Sequence, residues 1–216
     1  MPLPMVHLDI ARRLVNAGYK VEKLPQFYLG VISPDAIHMR KDSDRQHKND
    51  THFIPAGKRW VEVDEKEYIL FMKDFVQKNL GSLDDDFLRG YALHIITDML
   101  WTQQVYQRFV GKYKEDPAPI QAQQMAYYND ADILDQEIYN ESDWRPAVWE
   151  QLVKSESNDF LDLLSREEIN LWKERTLHWF DEGVSKHKNP VKYIFLEDIL
   201  AFADSCTTAL MKEEIY

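Results

Sequence analysis

Cysteine occurs once in the 216 residues, as Cys206, so no intramolecular disulfide is available and nothing signals an oxidising compartment. Glycine is scarce too, with 7 in the chain, which argues against a turn-rich β protein. No apolar run reaches the roughly 18 residues that mark a membrane span. The opening Met1-Pro2-Leu3-Pro4-Met5-Val6-His7 has no basic segment ahead of an apolar one, so no signal peptide is expected. These absences predict a cytoplasmic protein. Positive charge is also short, with 26 Lys and Arg against 37 Asp and Glu and a net charge of −11. Such a surface repels phosphate backbones and anionic headgroups, which argues against a nucleic-acid groove and against stable membrane insertion. Net charge does not describe a single cleft, so a small pocket of different character stays open. GxSxG, P-loop and dinucleotide-binding glycine patterns are missing as well.

What is present is a helical pattern. Hydrophobic residues make up 44%, enough for a packed core. Residues 5–18 carry an apolar stripe through Met5, Leu8 and Leu14-Val15, with Gly18 as a stop. Pro25 opens an apolar stretch, Phe27 to Ile32, which Ser33-Pro34-Asp35 breaks. Residues 40–51 read as a charged loop. Asp64 reads as the N-cap of a helix through Ile69, Met72, Phe75-Val76 and Leu80. Ser82 reads as the cap of the longest helix, about 83–109, which is apolar on more than one face and therefore central. Further helices are expected over 120–140, from Pro146, behind the Ser165–Glu168 capping box, and from Pro190. No linker or repeat divides the chain. The expectation is an all-α, single-domain helical bundle spanning 1–216.

The chemistry concentrates in Gly90-Tyr91-Ala92-Leu93-His94-Ile95-Ile96-Thr97-Asp98. His94 and Asp98 are four residues apart and share a helix face. Ionisable groups within an apolar helix need partners. A metal serves both, since imidazole nitrogen and carboxylate oxygen are ordinary zinc ligands. For an isolated HxxxD, however, a protein donor for the carboxylate is the commoner explanation. Three further residues change the weighting: His7 beside an apolar stripe, Asp35 directly after Pro34, and His52 in Thr51-His52-Phe53. Each alone reads as a core histidine, a turn residue or a surface histidine. Together they are the inventory for one or two hydrolytic metal ions.

The ordered set of His7, then Gly30-Val31-Ile32-Ser33-Pro34-Asp35, then Thr51-His52-Phe53, then the Gly90–Asp98 stretch, resembles the zinc-dependent phospholipase C family and its intracellular bacterial relatives. The resemblance covers roughly residues 5–140. It implies an all-α fold around a metal cluster that hydrolyses phosphodiesters, either of lipids or of small molecules. By that resemblance Asp35, His52, His94 and Asp98 hold one zinc, and Asp98 bridges to a second ion held partly by His7. Asp35 is the catalytic carboxylate that takes a proton from the attacking water. The chain departs from the family pattern in two places. The secreted enzymes use an N-terminal tryptophan as a ligand, and here the chain opens Met1-Pro2. The histidines expected after the HxxxD are also missing. Asp132 and Asp135 are possible further ligands there, with an acidic solvated face as the plain alternative. The residues thus fit one or two ions, of zinc or another divalent transition metal.

His38 and Arg40 lie near Asp35 and are candidate substrate-binding residues, Arg40 for a phosphate. His47, His178 and His187 read as structural or surface histidines, and Cys206 as a buried, inert thiol. Two alternatives stand beside the hydrolase. One is a non-catalytic metal-binding relative of the same fold. The other is an HD-type phosphohydrolase, which the lack of an adjacent His-Asp pair disfavours.

Overall fold

A computed structural model describes residues 3–120, 122–181 and 189–213. It is all-α, without a β-strand among those residues; one antiparallel bridge joins Phe160 and Leu164. In chain order the α-helices are α1 (Pro4–Asn16), α2 (Leu24–Ile32), α3 (Arg45–Thr51), α4 (Glu65–Asn79), α5 (Asp85–Trp101) and α6 (Gln107–Glu115). They continue as α7 (Gln123–Glu141), α8 (Arg145–Lys154), α9 (Arg166–His178) and α10 (Leu196–Glu213). A 3-10 turn, Ser33–Met39, extends α2, and a π turn, Thr102–Tyr106, joins α5 to α6.

α5 is the central rod. Apart from Arg89, every residue from Asp86 to Trp101 is buried, as its all-round apolar pattern predicts. Its main neighbour is α2, and two glycines set how close they come. A Cβ on Gly30 would stand 2.1 Å from the Phe87 carbonyl oxygen, and one on Gly90 would stand 2.2 Å from that of Phe27. Only glycine at both positions lets the two backbones touch. The long helix expected over 83–109 is a continuous helical path interrupted by the π turn. There the Gln103 amide donates to the Trp60 and Val63 carbonyls at 3.0 and 2.9 Å. A π turn widens the helix by one residue and re-aims α6 relative to α5.

Several local expectations change in detail. Asp84, not Ser82, caps α5, accepting from the Phe87 amide. Residues 45–51 form α3 rather than a loop, started by a capping box between Asp44 and His47. This helix escapes an apolar-periodicity test because its one buried residue is Thr51. α10 begins at Leu196, well after Pro190, because the Lys192, Tyr193 and Ile194 amides donate to the Asp130 carboxylate instead of to a helix. The tryptophans belong to the core: Trp60, Trp101 and Trp172 are buried in it, and Trp144, Trp149 and Trp179 pack on its edge. No helix of the described residues is long and apolar enough to cross a membrane.

Candidate metal centre

Five residues from four separate elements meet beside the centre of α5. His7 comes from α1, Asp35 from the 3-10 turn, His52 from the end of α3, and His94 and Asp98 from α5 itself. Two overlapping triads, His7–His94–Asp98 and Asp35–His52–His94, each present one ligand atom per residue within 4.8 Å of the others.

Backbone carbonyls around the cluster dictate which ring atoms face inward. His94 lies four residues beyond Gly90 and is pressed against the end of α2, where its Nδ1 sits 2.7 Å from the Val31 carbonyl. Burial pushes the His94 imidazole down to about 3, and neighbouring His7 adds to that push. A neutral ring has one N–H, and Val31 accepts it, so Nε2 turns a lone pair into the cluster. His52 repeats the arrangement. Its Nδ1 lies 3.0 Å from the Lys48 carbonyl and 3.1 Å from the Thr51 hydroxyl, leaving Nε2 inward. Two tyrosines hold this segment. Tyr91 donates to the Thr51 carbonyl at 2.6 Å, and Tyr68 donates to those of His52 and Phe53 at 3.1 Å each. Phe53 takes a left-handed φ of +49° to turn the chain away behind His52. The motif tyrosine Tyr91 is therefore a strut for a ligand loop.

The carboxylates face these lone pairs. His52 Nε2 is 3.5 Å from Asp35 Oδ1 and 3.5 Å from Asp98 Oδ2; His94 Nε2 is 3.9 Å from Asp35 Oδ2 and 3.9 Å from Asp98 Oδ2. Bonds of about 2.0–2.1 Å to a tetrahedral ion place ligand atoms roughly 3.4 Å apart. The four side chains stand near that spacing. On the other side, His7 Nε2 is 3.3 Å from Asp98 Oδ1, and its ring stacks on that of His94 with centroids 3.9 Å apart.

Six atoms of this cluster are buried without a hydrogen bond: both ring nitrogens of His7, Nε2 of His52 and of His94, and both oxygens of Asp98. Burial opposes ionisation of Asp98, but the surrounding imidazoles, His94 foremost, hold it at about 2. Burial opposes Asp35 likewise, and Lys48 with His38 keeps it well below the ordinary carboxylate range. The two carboxylates therefore face the Nε2 atoms of His52 and His94, whose Nδ1 atoms have carbonyl partners. Unpaired buried groups of this kind are costly, and a cation bound in the cluster would satisfy those that face it.

The remaining expectations separate. Asp132 and Asp135 lie outside both triads. Asp135 instead accepts the Met5 amide at 3.1 Å, securing the start of α1, and burial raises its carboxyl well above the usual range. Arg40 is not free for a phosphate. It makes a fork with Glu168 at 2.6 and 3.1 Å and donates to the Leu163 carbonyl, tying the 3-10 turn to α9. His38 does stand at the cluster, with Nε2 3.6 Å from Asp35 Oδ1. His47 is half of the α3 capping box, and His178 pairs on the surface with Asp181. His187 lies outside the described residues. Cys206 is buried, and burial pushes its thiol up to about 12. Lys48 is the site residue that sequence patterns missed: its ammonium is 3.4 Å from Asp35 Oδ1. It lies in the stretch read as a charged loop, and recognising α3 places it one turn before His52.

The chain thus carries a buried three-histidine, two-aspartate cluster able to bind a metal ion, and no family model, curated protein or solved structure matches it.

Proposed function

We propose that this protein is a metal-dependent hydrolase of phosphoric esters, acting on phosphodiester bonds. Asp35, His52, His94 and Asp98 would hold one divalent transition-metal ion, and Asp98 with His7 would be available to a second. The observation that carries the reading is the set of six buried, unpaired nitrogen and oxygen atoms in one cluster. His94 has only Nε2 to give, since Val31 accepts from Nδ1, so it serves one ion. Asp98 turns Oδ1 to His7 and Oδ2 to His52, which makes it the residue suited to bridge. Mixed imidazole and carboxylate donors suit zinc, manganese or iron.

A bound divalent ion supplies Lewis acidity and water activation. Asp35 is the ligand whose side chain reaches solvent, at 12% exposure. It would be the carboxylate placed to accept a proton from a water at the centre. His38 lies next to it and is half-exposed, with Nε2 3.6 Å from Asp35 Oδ1. The motif order from His7 to Asp98, resembling zinc-dependent phospholipases C, supports a phosphodiester as substrate.

A second reading, a metal held for structure alone, is favoured by one observation: His7, His52, His94 and Asp98 are no more than 3% exposed. Structural sites are closed, whereas catalytic sites keep an open position. Elemental analysis of the wild type beside Asp98→Asn, followed by turnover of bis(p-nitrophenyl) phosphate, separates the readings. One or two metal equivalents, lost in the variant along with turnover, support the hydrolase. Metal that raises the melting temperature without any turnover leaves only the structural role. A metal-free wild type that gains no stability from added zinc or manganese removes both.

A further inference from the structure

The open edge of the cluster is built from three side chains: Asp35, His38 from the same 3-10 turn, and Lys48 from α3. The Lys48 ammonium is 3.4 Å from Asp35 Oδ1 and 3.1 Å from His38 Nε2, and its side chain is about one quarter exposed, at 26%. Its backbone is fixed independently of its charge. The Lys48 carbonyl faces Nδ1 of His52 and accepts from the Thr51 hydroxyl, and the capping box fixes the start of α3. Tyr128 of α7 is near enough to feel the charges of Lys48 and Asp35. Burial raises its hydroxyl above the ordinary range while Lys48 pulls it the other way.

The charge balance at this edge points to an anion. Asp35 and Asp98 carry two negative charges and Lys48 one positive charge, so these side chains alone sum to one negative charge. A divalent ion reverses that sign. It also claims Asp35, the carboxylate nearest Lys48. An ammonium beside a centre of net positive charge favours a further anion at that edge, in addition to what Asp35 supplies. Arg40, the other cation near Asp35 in sequence, is already engaged by Glu168.

Resting on the metal centre proposed above, we infer that Lys48 is the substrate-binding residue of this site, receiving an anionic phosphoryl oxygen at the Asp35 edge. The recognised chemistry is a phosphate ester, whether it comes from a soluble diester or a lipid headgroup.

The test is calorimetric titration of inorganic phosphate into metal-loaded full-length protein, comparing wild type, Lys48→Met and Lys48→Arg at matched metal content. Removing a charge-assisted contact weakens phosphate binding by roughly tenfold to a hundredfold. Lys48→Arg is expected to recover most of that loss, since it restores the charge. In turnover, Lys48→Met is expected to raise KM more than it lowers kcat. Running bis(p-nitrophenyl) phosphate beside short-chain phosphatidylcholine micelles shows which source of phosphate the edge accepts. Phosphate bound equally by wild type and Lys48→Met overturns the assignment. Loss of metal from Lys48→Met overturns it too, since Lys48 would then serve to hold the centre together. A wild type that holds metal and binds phosphate through Lys48 but turns over no diester removes the hydrolase and leaves the anion site. A wild type that turns over diesters unchanged in Lys48→Met removes only the role of Lys48.

Discussion

Asp98 and Asp130 are both fully buried aspartates in helices, and they solve the problem of a buried carboxylate in opposite ways. Asp130 is saturated by its own chain. Its Oδ1 accepts from the Lys192 amide at 3.1 Å and the Asn129 side chain at 3.0 Å, and its Oδ2 accepts from the Tyr193 and Ile194 amides at 2.6 and 3.0 Å. Asp98 has no hydrogen bond at either oxygen and is surrounded by imidazoles. Burial of an acid is therefore not what marks a metal centre. The mark is an acid left unpaired among bases whose protons point elsewhere.

Breaking the saturated site should have the largest effect. Asp130→Ala leaves three amides without their acceptor, each worth about 1–3 kcal/mol. We expect a loss of about 4 kcal/mol by urea unfolding, the same with and without chelator. Gly90→Ala comes next, because a backbone carbonyl 2.2 Å from the new Cβ cannot rotate away. Overpacking costs about 1–3 kcal/mol or more. Moving α2 also carries Val31 away from His94, so a drop in metal affinity by competition with a chromophoric chelator should accompany it. An effect on stability alone would mean that His94 is held by something other than that contact.

Asp98→Asn should behave unlike Asp130→Ala. Its metal-dependent cost should be about 2.7 kcal/mol at metal concentrations about a hundredfold above Kd. In chelator the cost should be smaller, limited to what the surrounding imidazoles give the Asp98 carboxylate. A loss in chelator as large as that of Asp130→Ala would erase the contrast between the two sites.

Acid and base sharpen the comparison further. In metal-free protein His94 titrates at about 3, below an unfolded histidine, so between these values the unfolded chain binds more protons. Its contribution is present above about pH 6.5 and is lost as pH falls toward about 3, which thermal melts in chelator would follow. Asp135 works the other way. Its raised carboxyl binds a proton in the folded state at pH values where the unfolded chain has released it. Stability from that group is present at low pH and is lost as pH rises through its folded value. Asp135→Asn keeps an acceptor for the Met5 amide and should flatten that decline with rising pH, by about 1.4 kcal/mol for each pH unit that separates the folded and unfolded midpoints of the carboxyl.

Much of the fold was legible because its signals are local. The stop at Gly18, the Asp64 cap, the Ser165–Glu168 capping box and the apolar surround of α5 each depend on a few neighbouring residues. The segments that local patterns misplace are those where a distant partner overrides the local preference. Pro190 would suit a helix start, but Asp130 takes the amides just beyond it. α3 has no apolar stripe because its inward side serves a polar cluster.

The sequence by itself determined the all-α class and the types of the five ligand candidates. Composition sets the first, and His94 with Asp98 share a face by helix geometry alone. Only the tertiary structure decided that His7, Asp35 and His52 join them, because that requires α1, the 3-10 turn and α3 to converge where Gly30 and Gly90 let two backbones touch. Tertiary structure likewise took Arg40 and Asp135 out of the site and brought Lys48 in. A long side chain goes to whichever opposite charge or open amide the packing brings near, and spacing along the chain carries no information about that.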